Sequence, residues 1–377
     1  MAEFVENSGC QADGTDGRLV IDEPGCGATE PATVSQGLCS TNHVQNKKKL
    51  VLHVDLNSTI LVSDDVAAQR TVAALEYYLT TVTWGKMGKD GRWKWLSDSP
   101  SLLPPCEDAV SYYKQFGRTL GFTTAAGRRF RKFLDEHLEL FLWPAGVKAD
   151  RDLSAKGEDG RLYHWILPSF FQLLKDLVQE QREFAIVFRT FGTDLPRVLR
   201  AVNRALVEGA HPLFPDLPDL MLSVNMTPGK IHCNRRGVVL KRGEQRVSTQ
   251  DGERGLYRFF SSEQGLGGFQ DDFGWWVTNT YSIRGGKPLW IDPFDQQAQH
   301  IFIDDNIRQD EEDTIVNPRV FLGPGSDETR MASTSELYDV SLIQTDLFRA
   351  IADPNYFTQR VHICLENYER NLQQGAG

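Results

Sequence analysis

Three short apolar runs, each stopping at a polar side chain, constrain the fold of this chain more than any other feature. KLVLHV runs into Asp55, FAIVF into Arg189 and Thr190, and HIFI into Asp304, Asp305 and Asn306. Short β-rich runs of this kind suit strands buried on both faces, as in a parallel sheet. The amphipathic stretch ILPSFFQLLKDLVQEQ precedes FAIVF. A polar turn follows it, with Asp194 as the expected helix cap, and then Leu195, Val198, Leu199, Val202 and Leu206 fall on one stripe at helical spacing. Strand, polar turn and helix together predict an α/β fold built on a doubly wound parallel sheet. In such a sheet the carboxyl ends of the strands line one crevice, so Asp55, Thr190 and the Asp304–Asp305 pair are expected to converge although they stand far apart in the chain.

The rest of the chain divides around these strands. Residues 1–45 are rich in Gly, Ser, Thr, Asp and Glu and show no hydrophobic periodicity, so they are expected to form a disordered tail before a folded core at 46–377. With 377 residues, 40% of them hydrophobic, the chain is long enough to bury a sizeable core. Residues 63–165 read as a mostly helical cap insertion. An N-cap at Ser63, Asp64 and Asp65 opens it, the hairpin WGKMGKDGRWKW follows, and the helical stretches DAVSYYKQF and RRFRKFLDEHLELFL close it. Residues 208–286 read as a smaller irregular insertion of loops and hairpins, in which GLGG is taken as a loop and GWWVTNTY as a β-like run. The last segment reads as two helices separated near Pro354.

A formal net charge of −10 argues against nucleic acid or an anionic membrane surface as partner. There is no run of about 18 apolar residues and no basic n-region followed by an apolar stretch. The six cysteines lack CxxC spacing and read as free thiols, which together with the missing leader points to a cytoplasmic protein.

Converging carboxylates repel one another unless a cation lies among them, and oxygen donors suit a hard cation such as Mg²⁺, which also holds phosphate. Here the residues resemble a family. VDLNSTI is similar to the first motif of the haloacid dehalogenase-like superfamily, an apolar strand followed by Asp-x-Asp-x-Thr and an aliphatic residue. Thr190 after FAIVF resembles the second motif, Lys287 in GGKPLW the third, and FIDDN the acidic fourth, all in the family's order.

The resemblance implies a Mg²⁺-dependent phosphatase acting on a small phosphorylated substrate, with Asp55 as the nucleophile that forms an aspartyl-phosphate. It further implies that Thr190 and Lys287 bind the phosphoryl group, that Asp55, the Asn57 carbonyl and Asp304 or Asp305 hold the metal, and that Asp310 stands behind them as a further acid. Arg284 and Lys230 are alternative phosphate-binding cations.

One position departs from the pattern. The family's usual proton-transferring carboxylate two residues after the nucleophile is Asn57 here, and an amide does not exchange a proton near neutral pH. Three readings follow: a phosphatase that is slow or restricted to good leaving groups, a phosphate-binding or scaffold protein without turnover, and a hydrolase of a non-phosphate bond. Outside this set, His53 and His300 read as core histidines, Trp275–Trp276 as core packing, and Trp84, Arg92, Trp93 and Trp95 as a hairpin packed on a helix.

Overall fold

The computed structural model describes residues 47–63, 69–309 and 314–375, with side chains as far as 371. The expected tail at 1–45, the acidic turn at Asp64 and Asp65, and Asp310 lie outside the described residues.

Each of the three apolar runs is a buried strand of one eight-stranded sheet. Its members are β1 (Lys49–Asp55), β2 (Phe184–Thr190), β3 (Gly229–Asn234), β4 (Gly237–Arg242), β5 (Gln245–Ser248), β6 (Gly265–Gln270), β7 (Ala298–Asp304) and β8 (Leu342–Gln344). They are ordered β5-β4-β3-β6-β2-β1-β7-β8. The six strands from β3 to β8 in this order run parallel, and β4 and β5 extend the edge as an antiparallel ribbon. β1 is central: Asp55 pairs with Arg189 of β2, and Val54 with Ile303 of β7.

Helices cover both faces. Leu50, Leu52, Ile186 and Ile303 pack with helices Pro168–Gln179 and Leu195–Leu206 on one side, while Val51, Val187 and Ile231 pack with helix Glu253–Ser262 on the other. No helix among the described residues is long and apolar enough to cross a membrane.

The stretch 63–165 mixes element types. Helices Thr71–Thr81 and Arg131–Leu140 alternate with a three-stranded antiparallel sheet (Trp84–Met87, Trp93–Trp95 and Val110–Ser111) and a two-stranded hairpin. Within DAVSYYKQF only Tyr112–Phe116 is helical. Trp93 and Trp95 sit in an aromatic group with Tyr112, Phe122 and Phe130. Leu75, Phe122, Phe130 and Trp165 belong to the same buried cluster as Leu50 and Leu52, so this stretch shares the sheet's core.

Three expectations fail in 208–286. GLGG is not a loop but the body of β6, between β2 and β3 in the sheet. Glycine is required there because a Cβ on Gly268 would lie 2.6 Å from Leu195 Cδ1 and 2.9 Å from the Phe188 carbonyl oxygen. GWWVTNTY is not a strand: Phe273–Thr278 is a short helix, capped by the Asp272 side chain accepting from Trp275 N. Helix Glu253–Ser262 went unrecognised. Near the end, Leu347–Ala352 and Tyr356–Gly375 are the two expected helices.

Candidate active site

The carboxyl ends of β1 and β7 are neighbours, and their terminal acids meet a cation delivered by a third element. Lys287 begins a strand, Lys287–Ile291, that lies outside the main sheet and runs parallel to Val316–Phe321. Its backbone N–H donates to Ile315 O at 2.7 Å. That approach depends on the preceding glycine, since a Cβ on Gly286 would stand 2.4 Å from Ile315 O. Lys287 Nζ then donates to Asp55 Oδ1 at 2.5 Å and to Asp304 Oδ2 at 2.8 Å, with its side chain 1% exposed.

Carboxylate oxygens of Asp55, Asp304 and Asp305 all lie within 4.8 Å of one another. Burial and the neighbouring Asp304 push Asp55 up to about 7 against the opposing pull of Lys287. Burial also raises Asp305, reinforced by Asp304 and Asp55. Lys287 is raised as well, because the charges of Asp304 and Asp55 overcome its own burial. With one ammonium in hydrogen-bond contact against three carboxylates, the group carries surplus negative charge when ionised. An oxygen-only donor set at this spacing matches the ligand chemistry of a hard divalent cation.

Thr59 ties the two strand ends together. Its hydroxyl donates to Asp55 Oδ2 at 3.2 Å and accepts from Asp305 N at 3.1 Å. The turn between Asp55 and Thr59 places Ser58 at φ 59°, and Ser58 N and Leu61 O close it at 2.8 Å. Asp304 Oδ1 accepts from Asn306 N at 2.9 Å, which leaves Oδ2 for Lys287.

Thr190, at the end of β2, is 1% exposed, and its Oγ1 accepts from Gly192 N at 2.9 Å. Asn57 does not turn its amide toward the carboxylates: Nδ2 donates to Asp194 Oδ2 at 3.2 Å. Asp194 stands at the N-terminus of helix Leu195–Leu206 but makes no side-chain cap, contrary to the sequence expectation. A Cβ built on Gly192 would lie 3.2 Å from Asp194 Oδ2, 3.3 Å from Thr190 Oγ1 and 3.4 Å from Asn57 Oδ1, so three oxygens from two strand ends gather closely around Gly192.

Arg284 is not brought to this site. It is exposed on the turn Ile283–Gly285 and makes no ion pair with the carboxylates among the described residues. Lys230 is also exposed, and Lys287 is the cation that reaches Asp55.

Sequence reasoning missed two further features. Asp194 was legible only as a cap, since nothing local marks which way its carboxylate points. The other is a buried chain beneath the strand ends. Arg189, fully buried, donates to both oxygens of Asp271, at 2.9 and 2.6 Å, and to Pro288 O at 3.1 Å. It also approaches His53 Nδ1 at 3.2 Å. A guanidinium only donates, so His53 Nδ1 accepts and its Nε2–H donates to His300 Nδ1 at 3.1 Å. His300 Nε2–H in turn donates to Ser261 Oγ at 2.9 Å. Burial holds both imidazoles neutral, His300 down to about 3 and His53 well below its usual value, the latter helped by the Arg189 charge. The chain ties β1, β2 and β7 to Asp271, the residue that follows β6.

No family model, curated protein or solved structure matches the chain.

Proposed function

We propose that the protein is a Mg²⁺-dependent phosphohydrolase of the haloacid dehalogenase-like type, transferring the phosphoryl group of a phosphomonoester first to Asp55 and then to water. The observation that carries this reading is the Lys287 bridge between Asp55 and Asp304 at the carboxyl ends of adjacent parallel strands. A central strand bearing the nucleophile, flanked by strands that end in Thr190 and in Asp304, supports assigning the core to that family's doubly wound type.

Asp55, Asp304 and Asp305 would hold Mg²⁺ together with the Asn57 carbonyl. When bound, the ion would neutralise the negative charge shared by phosphate and carboxylates. Asp55 attacks as the carboxylate, and the Lys287 ammonium favours that form. The new P–O bond forms on an Asp55 oxygen as the ester P–O bond breaks. Thr190 Oγ1 and the backbone around Gly192 orient the phosphoryl oxygens. The departing oxygen needs a proton, which Asn57 does not supply; Asp194, in contact with Asn57, is the carboxylate beside Gly192 and takes that role. Water then attacks phosphorus, returning Asp55 and releasing inorganic phosphate.

The second reading, a phosphate-binding protein without turnover, is favoured by Asn57 itself. A screen of phosphomonoesters with and without Mg²⁺, run on the wild type and on Asp55→Asn, separates the two. Metal-dependent release of phosphate by the wild type and its loss in Asp55→Asn is the expected result. Equal release by both proteins rules out Asp55 as nucleophile, and binding of phosphate without release by either favours the second reading.

A further inference from the structure

Lys230 does not reach the carboxylate group, yet the sheet register sets it in line with Thr190. β3 pairs with β6 only through Gly229 with Phe269 and Lys230 with Gln270, the first two residues of one strand against the last two of the other. The ribbon β3–β4–β5 therefore begins where β6 ends and overhangs the carboxyl edge of the sheet. Gln270 pairs in turn with Thr190. Residues in register on neighbouring parallel strands point to the same face, so Thr190, Gln270 and Lys230 form a row on one face, with Lys230 two strand spacings, or about 10 Å, from Thr190 across the sheet.

A cavity of about 290 Å³ opens along this row, lined by Phe191, Lys230, His232, Gln270, Asp272 and Phe273 among others. Its acids are already engaged. Asp271 gives both oxygens to Arg189, while Asp272 accepts from Trp275 N and Cys233 N and pairs with His232 Nδ1 at 2.5 Å. The Lys230 ammonium has no ion-pair partner among the described residues, and it is exposed at the rim. Phe191 and Phe273, with ring centroids 5.7 Å apart, give the cavity an apolar wall between Thr190 and Lys230. Gln270 Nε2 donates to Gly192 O at 3.0 Å and so fastens the Thr190 loop to the cavity floor.

We infer that this cavity is a substrate subsite in which Lys230 binds a second anionic group, so that the substrates are phosphomonoesters carrying a further phosphate or carboxylate at the far end of a small carbon skeleton. The inference rests on the phosphohydrolase reading for the position of the first phosphate, which lies by Thr190 and Lys287. The skeleton packs on Phe191 and Phe273, and the second anion meets the Lys230 ammonium, which forms no ion pair with a carboxylate among the described residues.

The test uses the full chain with two probes, a hexose 6-phosphate and the matching hexose 1,6-bisphosphate, in wild type and Lys230→Gln, by initial rates and by calorimetric titration. The wild type is expected to favour the bisphosphate about tenfold or more, the size of one charge-assisted hydrogen bond. Lys230→Gln is expected to abolish the preference and leave the monophosphate unchanged. Absence of a preference in the wild type, or a preference that survives in Lys230→Gln, overturns the subsite. Tighter binding of the bisphosphate that depends on Lys230, with neither ester hydrolysed, upholds the subsite and removes the turnover reading instead. If neither ester binds, the subsite is overturned as well.

Discussion

Replacing Lys287 by Met tests the electrostatics of the site directly. Met keeps an unbranched stem beside Phe191 and Phe302, whose ring centroids lie 5.1 and 5.8 Å from Nζ, and removes only the charge and its donors. Because Lys287 is 1% exposed, solvent screens the interaction little. Taking one partner from a buried ion pair costs about 3–5 kcal/mol, since the remaining charges are left uncompensated. Unfolding entropy near 2.1 cal/mol/K per residue over roughly 330 folded residues comes to about 0.7 kcal/mol/K, so Tm should fall by about 4–7 °C at pH 8 in metal-free buffer.

The pH dependence gives a sharper criterion than the size. Asp55 already sits at about 7, well above its unfolded value of 3.8, and loses its counter-charge in the variant. The folded variant then binds more protons than the unfolded chain from pH 4 upward past 7, so its stability falls as pH rises through that window. Differential scanning calorimetry of both proteins at pH 5.5 and pH 8 should show the Tm deficit of Lys287→Met growing with pH. A deficit that is equal at the two values, or below about 2 °C at pH 8, would refute the arrangement of one ammonium bridging ionised carboxylates.

Two other outcomes follow from named contacts. Asp194→Asn should slow hydrolysis of an alkyl phosphate by about 10²-fold or more and that of a nitrophenyl phosphate much less, because only the poor leaving group needs a proton; equal losses on the two esters in steady-state assays would place Asp194 outside proton transfer. His211, stacked on His164 at 5.4 Å, is pushed down by burial to about 3, so between pH 6.5 and 3 the unfolded chain binds the extra proton and stability declines on acidification. His211→Phe should therefore lose about 2 kcal/mol less than the wild type between pH 7.5 and pH 5 in urea unfolding, and parallel pH profiles would show that this ring is not what acid attacks.

The parts of the molecule legible in the sequence were those whose side chains obey a local rule. β1, β2 and β7 are marked by uninterrupted apolar runs because both of their faces are buried. Helix Leu195–Leu206 shows its stripe because one face is buried and the other is not. Polar residues stand where those runs stop, so Asp55, Thr190 and Asp304 could be named from the pattern. Lys287 followed from the order of the motifs, since its spacing from the acids carries no local signal.

Tertiary structure decided what depends on a neighbour from elsewhere in the chain. β6 reads as a glycine-rich loop because the residues that would mark a strand are excluded there by Leu195 and Phe188, which close on Gly268 only after folding. Asp194 sits at a helix N-terminus, where local chemistry predicts a cap, yet its side chain makes none and instead accepts from the Asn57 amide that the turn after β1 brings to it. Choosing Lys287 over Arg284 and Lys230 required knowing which chain segment the pairing with Val316–Phe321 carries across the ends of β1 and β7. A residue's type and its local periodicity determine whether it is buried; which buried charge it meets is determined by strand order and register, and a contact such as Lys287–Asp55, across 232 residues, leaves no local periodic mark on the sequence.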